Sequence, residues 1–429
     1  MTDIYIILTL IALSSALYVE MRNRSLSIFL WAGIIVFFGF SHSLQMGSSV
    51  ISNAVLNEAS QFVCLFCVTY IMIRIVLKLL IKDNLAIKRD EDLTDVKIQR
   101  FTDFMYYSFL FSTLIYVVWV VLYAGSIGGI SKQLIYSFRT SSFWVLLLNY
   151  LWQATVPVSL FYLIINNKKR FSICVFCIVA KSLISFTRTY LIELFVAITL
   201  YKLFQNKKIN FNKILGGGII AFSAIYGMYI LRAFRYYYSF SDLGIVSWGE
   251  LNQKAINFIE TQSGDIFLSK FFYGLLQYEN WVDGIVPGAS YIRLLMLPIP
   301  SSVSFGLKPT DICITLGSFF GTNFNLNSVV SYTVTPTLFG DLYANFLWYG
   351  CIIGGLIWAF IVSLLDHIAL KMNYTKRIFV IMLISSAYIN IARGSVYNPF
   401  CNILYGIAIQ FLLYEISIRC LKIKFVLYK

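Results

Sequence analysis

The chain has 429 residues, 59% of them hydrophobic and 17% aromatic against only 13% charged, and so lacks the charged surface that a soluble protein of this length needs. The formal net charge of +14 would suit a nucleic-acid partner. The basic residues sit instead in short clusters between apolar runs, which excludes nucleic acid and matches the loop-charge asymmetry of multi-pass membrane proteins.

A helix needs about 20 residues to cross the hydrocarbon core. Spans are predicted near 4–20, 25–43, 55–81, 104–124, 142–166, 171–186, 189–205, 213–231, 344–365, 378–393 and 397–416. Asp3 stands where a signal peptide would carry its basic region, and no small-residue cleavage site follows, so the first run reads as a span. The clusters Arg22/Arg24, the 78–100 loop, Lys168–Arg170, Lys207/Lys208/Lys213, Lys371/Lys376/Arg377 and Arg419–Lys429 are placed on one face, the cytoplasmic one. About 11 transmembrane helices satisfy all of them, with the N-terminus outside. The chain then divides into 1–231 with helices 1–8, a large periplasmic loop over 232–343, and 344–429 with helices 9–11. That loop carries the turn signals VPGAS, LPIPSS, KPTD and VTPT, is rich in aromatic residues, and is too long to be a mere connection.

Four arginines fall on the outer face, where topology disfavours them. The run 171–206 has basic clusters at both ends, and as one helix it would be about 54 Å long. It reads as a hairpin of two short helices with Arg188, in ISFTRTYLI, at the outer tip. The run 378–418 reads in the same way, with Arg393, Gly394 and Pro399 of YINIARGSVYNPF at its tip. The span 213–231 runs outward into LRAFRYYY, which supplies Arg232 and Arg235. Each arginine alone could be a snorkelling or capping residue. Together they have few acidic neighbours, Glu193, Asp242 and Asp341, and should bind an anion; a guanidinium suits phosphate, being planar, bidentate and permanently charged.

Other chemistry is sparse. His42 and His367 lie at opposite faces, and no HExxH, P-loop or GxGxxG fingerprint is present. The first outer loop carries only Glu58, without the acidic pair that metal-dependent lipid-linked glycosyltransferases use, so neither a metal nor a cofactor is expected. Cys64/Cys67 and Cys174/Cys177 read as small apolar residues inside helices. No paired intramembrane carboxylates are visible, which weighs against an ion-driven transporter. What remains is a ligand with an anionic head, a lipid tail and sugar faces to stack on aromatic rings.

Four stretches carry a likeness to a known family: SLISFTRTYLI, LPIPSSVSFGLKP, TPTLFGDLYANFLWYG and ARGSVYNPF. In order and spacing they resemble the O-antigen polymerases (Wzy family) of bacterial inner membranes, over about 170–416. One departure is Leu347, where the family more often has glycine. The resemblance implies an all-α, GT-C-like membrane glycosyltransferase related in fold to O-antigen ligases. It would transfer the growing glycan from undecaprenyl diphosphate to the non-reducing end of another undecaprenyl-diphosphate-linked repeat unit, inverting and without metal, at a periplasmic site. Donor and acceptor lipids are then the partners, with membrane lipid around them and a chain-length regulator protein as a further candidate. Carried onto this chain, Arg188 and Arg393 would grip the donor diphosphate, and Arg232 and Arg235 would hold phosphates. Tyr236, Tyr343 and Tyr397 would line the sugar path. Asp341 is the candidate general base, with helix capping as its rival role. An O-antigen ligase and a lipid-linked oligosaccharide flippase are the alternatives; the large outer loop weighs against the flippase.

Overall fold

A computed structural model describes residues 2–46, 51–80, 96–131, 134–135, 137–138, 142–185, 189–204, 226–227, 229–234, 238, 242, 245–260, 267–299, 303–323, 334–372 and 374–427. These residues form helices and turns, with no strand among them. In chain order the helices are α1 (Thr2–Asn23), α2 (Ile28–Ser43), α3 (Asn53–Leu80), α4 (Val96–Ala124), α5 (Phe143–Thr155), α6 (Val158–Ile164), α7 (Lys168–Ile184), α8 (Thr189–Phe204), α9 (Trp248–Glu260), α10 (Ser269–Tyr278), α11 (Ala289–Leu295), α12 (Ile312–Asn323), α13 (Thr337–Phe346), α14 (Gly350–Lys371), α15 (Tyr374–Ala392) and α16 (Tyr397–Leu427).

Among the described residues, seven stretches are long and apolar enough to cross a membrane: Thr2–Asn23, Asn53–Leu79, Lys97–Ala124, Phe143–Ile164, Thr337–Ala369, Thr375–Ala392 and Tyr397–Arg419. The chain is an all-helical protein of multi-pass character. Four predicted spans take a different form. The run 25–43 is the helix Ile28–Ser43, too short to count among the seven. The run 142–166 is two helices, because Pro157 has no amide to continue α5 and starts α6 instead. The runs 171–186 and 189–205 are helices of 17 and 16 residues, just short of a full crossing. Most of the run 213–231 lies outside the described residues.

Contacts sort the chain into two units. The first joins residues 1–86, 264–372 and 384–403. Here α1 and α14 both pack on α3. α1 buries Ile6, Leu13 and Ala16 and leaves Ile4, Leu8 and Ile11 exposed, the pattern of a helix with one face to protein and one to lipid. α13 turns back on α14 because α14 offers glycines at a four-residue spacing. A methyl group on Gly350 would lie 2.6 Å from the Leu342 carbonyl oxygen, and one on Gly354 would lie 2.5 Å from the Leu342 side chain. Phe38, Phe66 and Phe272 surround Phe339 in an aromatic core. His42 is tied at both ring nitrogens, to the Tyr273 hydroxyl at 2.7 Å and the Ser60 hydroxyl at 3.0 Å, and serves as a strut.

The same unit holds a buried carboxylate pair. Glu20 of α1 and Asp366 of α14 lie on stretches apolar enough to cross a membrane and are bridged by Arg74 of α3 at 2.8 Å to each. The pairing crosses more than half the chain, so no local pattern announces it.

The second unit joins residues 87–263, 373–383 and 404–429. α7 and α8 pack together as the expected hairpin and also on α6. Residues 186–188 at its tip lie outside the described residues. Tyr116, Val120, Phe138 and Val145 form a buried cluster between α4, α5 and the segment joining them. The α5–α6 break is tied by Gln410, whose Nε2 donates to the Ala154 carbonyl at 2.9 Å. Lys181 is wholly buried on α7, with its ammonium over the rings of Trp152 at 4.0 Å and of Tyr116 and Tyr190 at 4.7 Å each. Such a cage replaces part of the hydration the cation gives up.

Candidate functional site

Three of the four motif stretches meet in the first unit. The turn after α15 approaches the start of α13 so closely that the Thr337 amide donates to the Arg393 carbonyl at 3.0 Å. The turn also accepts the Cys313 thiol on the Gly394 carbonyl. Gly394 is required there. Its φ is +95°, and a methyl group on it would sit 2.5 Å from the Thr337 carbonyl oxygen. The C-terminal Arg-Gly turn thus docks on the GDLYANF helix and on the head of α12.

Two cations the sequence reading did not single out lie beside that turn. Arg293 of α11 places its guanidinium carbon 4.3 Å from the centre of the Tyr397 ring and donates to the Pro309 carbonyl. Lys308, inside LPIPSSVSFGLKP, lies 5.1 Å from the same ring and donates to the Ile299 carbonyl at 2.7 Å. Burial, and after it the Arg293 charge, hold the Lys308 ammonium below the usual lysine pKa. Asp311 completes the group. Its Oδ1 accepts from the Cys313 amide at 3.0 Å, and its Oδ2 accepts from Asn398, next to Tyr397, at 3.5 Å. Two like charges held over one tyrosine ring, both half-buried, form a site that an anion would relieve.

A buried polar network stands behind this face. Asp341 and Asn345 are one helical turn apart on α13 and grip the first turn of α11. The Ser290 hydroxyl donates to Asp341 Oδ1 at 2.7 Å. The Asn345 side chain donates to the Ser290 hydroxyl at 3.1 Å and accepts from the Ser290 amide at 2.9 Å. The capping role considered for Asp341 falls away, because Pro336 holds the N-cap and Asp341 lies more than a turn inside. The second oxygen of Asp341 has no hydrogen-bond partner among the described residues. Ser290 and Arg293 share α11, three residues apart, so the network fixes the helix that presents the guanidinium.

The remaining sequence candidates are placed as follows. Arg188, Arg235 and Tyr236 lie outside the described residues. Arg232 belongs to the second unit, with its guanidinium carbon 4.7 Å from the Phe258 ring of α9. Arg393 is half-buried in the first unit, 5.9 Å from the Phe37 ring. Tyr343 points away from Asp341 into the aromatic core against Phe62 and Phe272, a packing position. Tyr397 is the ring shared by the two cations. Among the described residues no group of three or more His, Cys, Asp or Glu could hold a metal ion. Arg293 and Lys308 were findable, since each is a basic residue in an aromatic, proline-rich segment, but nothing in the spacing pairs them.

Comparison with known proteins adds no relative: no family model, no curated protein and no solved structure matches the chain.

Proposed function

We propose that the chain is an O-antigen polymerase of a bacterial inner membrane. It would thread about eleven spans, with 232–343 and the active site on the periplasmic face. The observation that supports this reading most is that Lys308 of LPIPSSVSFGLKP stands with Arg293 over the Tyr397 ring of ARGSVYNPF, whose Arg393 carbonyl accepts the Thr337 amide of TPTLFGDLYANFLWYG. These are three of the stretches that carry the family likeness, and their meeting place suits a diphosphate.

In the proposed reaction a hydroxyl of the acceptor's non-reducing end sugar attacks the anomeric carbon of the growing glycan. The bond from that carbon to the diphosphate oxygen breaks, and its electron pair leaves with undecaprenyl diphosphate. Arg293 and Lys308, together with Arg393, would stabilise the charge that develops on the leaving group, which is where fixed cations contribute most. Asp341 is the base proposed for the hydroxyl proton; its second oxygen has no hydrogen-bond partner among the described residues. Diphosphate is already a fair leaving group, so this scheme asks for electrostatic stabilisation more than for a strong acid.

Complementation tests it. Cells that lack the chain should carry a single repeat unit on their surface lipid, and an Arg293→Ala/Lys308→Ala double variant should leave them in that state at normal protein level. A surface with no repeat unit at all would mark a ligase or flippase. Full-length glycan from the double variant would remove the two cations from the mechanism.

A further inference from the structure

Glu20, Arg74 and Asp366 form a charge group that does not sum to zero. Two carboxylates face one guanidinium, with side-chain exposures of 0%, 12% and 7% for Glu20, Asp366 and Arg74. All three lie on stretches apolar enough to cross a membrane, where a surplus charge is costly and a carboxyl group avoids the cost by keeping its proton.

The partners distinguish the two acids. Glu20 takes both arms of the guanidinium, Nε on Oε1 and Nη2 on Oε2, each at 2.8 Å, and its Oε1 also accepts the Tyr70 hydroxyl at 3.0 Å. That fork favours ionised Glu20. Asp366 has a single guanidinium contact, from Nη2 to Oδ2 at 2.8 Å, and the Leu26 amide on Oδ1 at 3.1 Å. The remaining arm of Arg74 goes to the Ser363 hydroxyl at 2.7 Å. The surplus therefore falls on Asp366.

On α15, the wholly buried Tyr388 makes no hydrogen bond to Asp366 and so supplies no donor that would hold it ionised. Ser25, in the turn between α1 and α2, also faces Asp366.

We propose that Asp366 is a proton-binding site, and that its neutral acid form closes the charge count of the Glu20–Arg74–Asp366 group at neutral pH. The step adds one proton to one carboxylate oxygen and needs no other reactant. This inference is separate from the glycan chemistry and holds whether or not that reading does.

The test is infrared difference spectroscopy on the full chain in lipid nanodiscs. The expected result at neutral pH is a protonated-carboxyl carbonyl band that shifts with carbon-13-labelled aspartate, persists in Asp341→Asn and is lost in Asp366→Asn. A band lost in Asp341→Asn, or no such band in the unsubstituted protein, overturns the proposal without reliance on the folding of an Asp366 variant. A band removed by sodium chloride but not by choline chloride at fixed pH also overturns it, in favour of a sodium ion at the site.

Discussion

The amide of Thr337 and the carbonyl of Arg393 are joined by a 3.0 Å hydrogen bond, which makes the Arg-Gly turn a fixed part of the surface that carries Arg293 and Lys308. The bond exists only because residue 394 has no side chain. Gly394→Ala should cost about 3 kcal/mol or more, since it combines a disfavoured φ with a clash against backbone that cannot move aside. Thermal unfolding in detergent would measure it. Arg393→Gln, which leaves the turn intact, should lose chain extension without that loss of stability.

The cation pair makes a pH-dependent claim. Lys308 is held below the usual lysine pKa, and a bound anion would raise it again. Affinity for inorganic pyrophosphate should therefore fall as pH rises through the free-state Lys308 value, below about 10.4. Lys308→Arg should move that fall to higher pH, and Arg293→Ala should weaken binding by roughly tenfold to a hundredfold. Calorimetric titration across pH would read both. Affinity that stays flat with pH in the unsubstituted protein would mean that Lys308 does not touch the anion.

Leu347 adopts φ +49° and ψ −139°, a conformation suited to glycine, in the break between α13 and α14. The leucine here is thus a matter of backbone strain rather than of packing. Leu347→Gly should raise stability by about 1 kcal/mol, as relief of strain exceeds the loss of a half-buried side chain. Equilibrium denaturation in micelles would show a higher midpoint; a lower one would indicate that the side chain matters more.

Arg74→Leu should destabilise the chain by about 3–5 kcal/mol, because the buried Glu20 carboxylate loses its cation and Asp366 loses a hydrogen-bond donor. The Arg74→Leu/Glu20→Gln/Asp366→Asn triple variant should recover most of that loss. Failure of the triple variant to recover would assign the cost to shape rather than charge.

Lys181 and Trp152 should be energetically coupled. A double-mutant cycle with Lys181→Met and Trp152→Leu, read by thermal unfolding, is expected to give about 1–2 kcal/mol for a desolvated cation over an indole face. A value near zero would leave the cage as ordinary packing.

Apolar runs made the membrane class and most helices legible, because hydropathy is summed over many residues and survives local errors. The α7–α8 hairpin followed from basic residues at both ends of 171–206. Pro157 was visible as a helix breaker, yet its run was long enough to read as one span. The break at Leu347 was hidden, since an inserted turn with positive φ leaves no mark in composition. The Tyr397 cluster was half legible. Its motif stretches could be read, but which cations stand over the ring depends on contacts about a hundred residues apart. The Glu20–Arg74–Asp366 group was wholly hidden for the same reason, and Asp366 next to His367 looked like the start of a cytoplasmic loop.

The order in which the ribosome delivers these residues gives the buried triad a history. Glu20 and Arg74 are both made early, within the first 86 residues of the first unit, and can match charge for charge as soon as their helices are inserted. Asp366 arrives only after nearly three hundred further residues. Glu20 and Arg74 already sum to zero without it, and the last acid to be made brings the imbalance with it. Asp366 therefore joins the pair at least cost as an uncharged acid.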